Sequence, residues 1–195
     1  MDVHIGSAVD PLDLIPLDRE AMPGGGRIYR ATFFPAFGPW CTLTVRDFAE
    51  VGEVELSATL LTRLRLTFPE FSPPERCGEV QVVSGDELSG FRAEMAEARP
   101  EGLGDLRPDY SYRDGIGFYG EVRWDGVYHL FNVHDDRDLW RKNPSHGRFF
   151  LSLWRLARSI LREEWSLRAL DPRHFGDLLE RESGSSKPRT NRRRS

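Results

Sequence analysis

The stretch IGFYGEVRWDGVYHLFNVHDDRDLWRKNPSHGRFFLSLWRLARSIL, residues 116–161, decides the fold. Asp125-Gly126 stands between two runs of alternating apolar residues, the strongest short-range signal for a β-hairpin. A two-residue turn there pairs Trp124 with Val127, Val122 with His129, Gly120 with Phe131 and Phe118 with Val133. These residues share one mostly apolar face, and the missing side chain of Gly120 leaves room for the Phe131 ring. The other face pairs Arg123 with Tyr128, Glu121 with Leu130 and Tyr119 with Asn132, a mixed set expected to be wet. His134–Gly147 reads as a polar loop. Phe149, Phe150, Leu153, Trp154, Leu156, Ala157, Ile160 and Leu161 then recur at helical spacing, which predicts an amphipathic helix over 148–162 packed across the sheet. Arg148, Arg155, Arg158 and Arg162 fall on its solvent side.

Upstream, Ile28–Phe33 and Cys41–Arg46 read as strands, the second with Cys41, Leu43 and Val45 on one face. Val54, Leu56, Ala58, Leu60, Leu64, Leu66 and Phe68 alternate with polar residues, as in one half-buried antiparallel strand or two in continuous register. Leu61 breaks the pattern. Pro69, Pro73 and Pro74 mark a loop. Glu79–Val83 reads as a short strand with Val80 and Val82 on one face. Ser84 and Glu87 fit a capping box ahead of a helix over 84–97, whose Leu88, Phe91 and Met95 make an apolar stripe before Pro100 bars continuation. A further short helix is expected from Pro172 to Glu182, capped by Asp171. The expected fold is α+β: one antiparallel sheet of about five to seven strands with two or three helices packed mainly on one face.

Length suggests one domain. Residues 1–26 read as an N-terminal arm or linker ending in Gly24-Gly25-Gly26, with Leu12, Leu14, Ile15 and Leu17 either docked on the body or disordered. Residues 27–182 form the α+β domain and 183–195 a disordered basic tail. The formal charge of −4 hides an asymmetry. The tail carries Lys187, Arg189, Arg192, Arg193 and Arg194 with no acid; setting those five aside leaves 22 basic residues against 31 acidic ones, a balance of −9. An acidic body disfavours nucleic acid and favours a basic protein partner, with Arg192–Arg194 the one weak point of contact for nucleic acid or acidic protein. The N-terminus lacks a basic region followed by an apolar one, and no stretch approaches 18 apolar residues; neither a signal peptide nor a membrane contact is expected. Cys41 and Cys77 read as free, buried thiols of a cytoplasmic chain, with a disulfide as the alternative.

No motif of high specificity for catalysis, metal or cofactor stands in the chain. Gly115-x-Gly117-x-x-Gly120 matches the dinucleotide fingerprint as a string, but a strand follows where the chemistry needs a helix N-terminus at the pyrophosphate, so no cofactor is expected. Asp109 with Glu121-x-Arg123 has the outline of a metal-dependent nuclease site, two carboxylates for a divalent ion and a nearby cation. A cross-strand ion pair explains the same residues. His134, Asp136, Asp138 and His146, with Asp135, form the densest group of candidate metal ligands, suited to zinc or manganese, although loops often carry such residues with no metal. His129 on the apolar hairpin face reads as a satisfied core histidine. Trp140 flanked by Arg137, Arg141 and Lys142 has the composition of an interface anchor, or of a ring that pins its own loop. Tyr119 and Tyr128 join Trp140, Arg137 and Arg141 as interface candidates. The function expected is therefore non-enzymatic protein binding, an immunity- or antitoxin-like inhibitor of a basic partner being one version. A metal-dependent hydrolase or nuclease, and a structural subunit of a larger assembly, are the alternatives.

Overall fold

A computed structural model of the chain describes residues 17–20, 22, 25–35, 40–48, 53–61, 76–83, 85–106, 116–134 and 143–164. In chain order these contain β1 (Arg27–Pro35), β2 (Trp40–Phe48), β3 (Glu53–Leu61), β4 (Arg76–Val82), α1 (Gly85–Ala98), a 3-10 turn (Pro100–Gly102), β5 (Ile116–Trp124), β6 (Val127–His134) and α2 (Pro144–Ile160). The fold is α+β. The strands form one six-stranded sheet in the order β4-β3-β2-β1-β5-β6, each neighbour antiparallel. β1 therefore stands inside the sheet, with β2, β3 and β4 on one side and the β5–β6 hairpin on the other. The expected capping box involves Ser84, and the expected helix 172–182 and basic tail lie further along; all three are outside the described residues.

The hairpin has the register its turn dictates. Asp125 and Gly126 both take positive φ, 44° and 78°, the signature of a type I′ turn whose twist matches that of the strands. All seven expected cross-strand pairs form, and Gly117 with His134 adds an eighth. α2 begins at Pro144, four residues before the expected start at Arg148. Asn143 stands at its N-cap position and Pro144 at its first turn, a favourable place for a residue without an N–H.

Both helices lie on one face of the sheet. Tyr29, Ala31 and Phe33 of β1, Leu43 and Val45 of β2, Leu56 and Ala58 of β3, Phe118 and Val122 of β5, and Phe131 and Val133 of β6 point into this core. Leu88, Phe91 and Met95 of α1 and the whole expected stripe of α2 close it. Phe131 is at its centre: its ring meets Phe149 at 5.1 Å, Phe150 at 5.9 Å and His146 at 5.7 Å between centroids. Beneath it lies Gly120, where an added Cβ would stand 2.2 Å from the Phe131 Cζ and 2.5 Å from Cε2. Side-chain bonds join the helices: Arg148 to Glu97 at 2.9 Å, Arg155 to Glu94 at 3.5 Å, and the Ser152 hydroxyl to Glu94. At the end of β2, Asp47 takes a two-pronged bond from Arg92 of α1, at 2.8 and 2.5 Å.

In β4, Val80 and Val82 share one face as expected, and the strand begins at Arg76, before the expected Glu79. Val80 and Val82 face away from the helices and are 59% and 72% exposed. Their register opposite Ser57 and Glu55 places them on the outer parity, so Glu79 and Gln81 stand on the helix side. Glu79 is buried there because its carboxylate accepts the amides of Arg162 (2.7 Å) and Glu163 (3.2 Å), just after α2 ends. The other edge of the sheet is covered. The segment Leu103–Leu106 lies along β6: Leu106 donates its amide to the Asn132 carbonyl, and Asp105 Oδ1 accepts the Asn132 amide, both at 2.9 Å.

Cys41 is a free, buried thiol, and burial pushes its pKa up to about 12, which keeps it protonated and inert. Cys41 and Cys77 pair with Leu60 from opposite sides. Their backbones are thus two strand spacings apart, roughly 9.5 Å, beyond the reach of a disulfide.

Gly120→Ala is expected to cost about 1–3 kcal/mol, because the Phe131 ring is hemmed in by other rings and cannot retreat. Denaturant unfolding checks this, and Gly120→Ala combined with Phe131→Leu is expected to recover part of the loss.

Candidate functional site

The sheet face opposite the helices carries the charge. Every second residue of the inner strands points there: Ile28, Arg30, Thr32 and Phe34 from β1, Thr42, Thr44 and Arg46 from β2, Glu55, Ser57 and Thr59 from β3, and Tyr119, Glu121 and Arg123 from β5. The hairpin's share of this face was expected to be wet. Instead Glu121 and Asn132 are buried, as are Arg30, Thr32, Thr42 and Thr44 beside them. Alternation separates two faces but does not reveal that both are covered.

Arg30 is the centre of this face, with a side chain 2% exposed. Its Nε donates to Thr44 Oγ1 at 3.1 Å, its Nη1 lies 3.5 Å from Glu121, and its Nη2 lies 3.3 Å from Glu20. Glu121 stands directly opposite Arg30 in the β1–β5 register and also accepts from the Tyr128 hydroxyl at 3.1 Å. Arg46 reaches Glu55, its cross-strand partner, at 2.6 Å, Ser57 Oγ at 3.1 Å, and Glu20 through its Nε. Arg123 Nη1 donates to two backbone carbonyls of the N-terminal turn, Leu17 at 2.5 Å and Glu20. The turn Leu17–Glu20 therefore docks on this face, and Leu17 is fully buried. Of the arm's four apolar residues, Leu12, Leu14 and Ile15 lie outside the described residues.

Burial dominates the electrostatics here. It lowers the pKa of Arg30, which Glu121 and Glu20 hold back up, and it raises that of Glu121 against the pull of Arg30 and Tyr128. Burial, then the adjoining Glu121, raises the Tyr128 phenol as well. A carboxylate with a raised folded pKa favours the folded state most when protonated; that contribution is lost as pH climbs from the unfolded Glu value through the folded one.

The sequence-derived candidates divide as follows. Tyr128 is on this face, 39% exposed, its hydroxyl committed to Glu121. Tyr119 is half-buried, its ring 4.8 Å from Phe34, which in turn meets Trp40 at 4.7 Å. Trp140, Arg137 and Arg141 lie outside the described residues. So do Asp109, Asp135, Asp136, Asp138 and the side chain of His134, whose backbone closes β6. His146 is buried in the first turn of α2 and donates from Nε2 to the Gly104 carbonyl at 2.8 Å. His129 makes the parallel bond from Nε2 to Leu103 at 2.6 Å. The two imidazoles clamp the strap over β6, with Phe131 between them. Glu121 and Arg123 do share a strand face, yet each is committed to a different partner: Glu121 to Arg30 and Tyr128, Arg123 to the N-terminal turn. Gly117 and Gly120 lie within β5. Among the described residues no group of three His, Cys, Asp or Glu is placed to hold a metal, and no helix is long and apolar enough to cross a membrane.

Sequence reasoning missed Arg30, Arg46 and Glu20. The available signal was the polar parity of β1 and β2, where Arg30 and Arg46 recur among threonines. The outer valines of β4 form the other notable surface. Among the described residues nothing pairs with the free side of that strand. Half-buried Glu55 of β3 stands opposite Val82, and the Glu163 amide is held by Glu79 on the helix side.

Two outcomes check this description. Glu121→Ala is expected to destabilise by about 3–5 kcal/mol, since it strips a buried guanidinium of a partner. Arg30→Met with Glu121→Leu should recover most of that, and equal losses in the single and double variants would refute the coupling. Burial lowers the His146 pKa, with the Gly104 carbonyl opposing. Stability should therefore fall as pH drops below the unfolded His value of about 6.5, at no more than about 1.4 kcal/mol per pH unit. His146→Gln, which retains a donor for Gly104, should flatten that slope in thermal melts between neutral pH and pH 5.

No family model matches the chain, and no curated protein matches it.

Proposed function

We propose that this chain is a protein-binding protein that takes an extended, basic segment of its partner along the free edge of β4. The observation that carries the reading is the exposed pair Val80 and Val82 on β4, whose outer edge has no strand partner among the described residues. An edge strand offers backbone donors and acceptors in register, and alternate side chains supply the selectivity. Two outward valines would seat two apolar side chains of an added strand. The body as a whole is acidic, so a partner strand carrying Lys or Arg beside its apolar residues is the complementary one. An inhibitor of the immunity or antitoxin kind, bound one-to-one to a basic protein, is a concrete form of this reading.

The test is affinity capture at low salt with the tagged chain and with its Val80→Glu/Val82→Glu variant. The wild type is expected to retain one basic protein at equal stoichiometry and to release it as salt rises, while the double variant, folded to the same thermal midpoint, retains none. Capture that survives both glutamates would remove β4 from the reading. Dimerisation of the purified wild type, abolished by the same glutamates, would assign the edge to a second copy of the chain.

A further inference from the structure

We infer that Arg30, Arg46 and Arg123 form a seat for an oxyanion, phosphate or carboxylate, and that Glu20 of the N-terminal turn occupies this seat in cis. The three arginines come from three adjacent strands, β2, β1 and β5, and stand on the same face. The sheet supplies two carboxylates to meet them, Glu55 to Arg46 and Glu121 to Arg30. Among the described side chains of this face, three strand guanidinium groups stand against two strand carboxylates. The third carboxylate comes from outside the sheet. Glu20 bonds Arg46 through one oxygen and Arg30 through the other, and the carbonyls of Leu17 and Glu20 take Arg123.

The donors that the turn would vacate are Arg30 Nη2, Arg46 Nε and Arg123 Nη1, a convergent set of N–H groups of the kind that recognises carboxylate and phosphate. The turn is joined to β1 through Gly25, at φ 71°, and Gly26, and among the described residues Leu17 is its buried apolar anchor. A purely static cover for this face would be served as well or better by apolar side chains, since buried ion pairs commonly add nothing over them. Charged contacts differ in that water and a competing anion can satisfy both sides once they part. The seat is separate from the β4 edge and does not depend on it.

The test uses the full chain and its Glu20→Gln variant, which keeps the side chain's size and removes its charge. Thermal midpoints are read in inorganic phosphate and in acetate, each against chloride at equal ionic strength. The variant is expected to show an anion-dependent rise in midpoint roughly twofold or more that of the wild type, and Arg46→Gln added to it should abolish the difference. The larger of the phosphate and acetate responses identifies the class of oxyanion. If Glu20→Gln does not fold in chloride, recovery of the fold in phosphate or acetate supports the seat and failure to recover overturns it. Equal midpoints of the variant in all three salts, or a rise that persists without Arg46, would also overturn it.

Discussion

A guanidinium group almost wholly out of water, at the middle of an interior strand, constrains everything around it. Arg30 cannot shed its charge at any ordinary pH, so its surroundings must answer it. β5 does so with Glu121, β2 with Thr44, and the N-terminal turn with Glu20. Each answer fixes a neighbour. Arg30 with Glu121 ties β1 to the hairpin; Arg46 with Glu55 ties β2 to β3; Glu20 ties the chain's first described turn to two strands at once. The ionic face thereby resists the same slips of register that the apolar face resists, because a slip of one residue would carry the buried charges into the core.

The helix side obeys a different rule, that of volume. Phe131 occupies the space Gly120 leaves, and Phe149 and Phe150 of α2 close over it. The hairpin turn sets which residue stands opposite which, so two residues at the tip decide whether an aromatic cluster further up can form. α1 is then held against the sheet by Phe91 on Tyr29, at 5.5 Å and nearly perpendicular, and at its solvent side by Arg92 on Asp47. Local turn chemistry, a missing Cβ and a helical stripe support one another, which is the consistency expected of a sequence that specifies one fold.

Such local features were legible in the sequence. Asp125-Gly126 names its turn type through the residues themselves, and the stripe from Phe149 to Leu161 names its helix through period alone. Asn143-Pro144 carries the signal for the start of α2, four residues before the boundary expected at Arg148. What the sequence withheld depends on neighbours far apart in the chain. Alternation in β4 separates Val80 and Val82 from Glu79 and Gln81 but does not say which pair faces inward; that was decided by the backbone amides after α2, which needed a carboxylate. Glu121 and Arg30 are separated by most of the domain, and each alone resembles a solvated strand residue. His129 was expected to be satisfied, but its partner, the Leu103 carbonyl, and that of His146, the Gly104 carbonyl, lie at a distance in the chain that no local pattern spans.

The sheet's two borders are unlike each other, and this sets a limit on what can assemble. Along β6 the strap already uses the Asn132 amide and carbonyl, held down by His129 and His146. Along β4, among the described residues, no strand pairs with the backbone beside its valines. A sheet open on both borders can add units without end, which is the route to fibres. A sheet open on one can add a single unit, and the process terminates there. A strand added at β4 would leave the covered β6 border as it is, so the sheet of this molecule could grow in one direction alone.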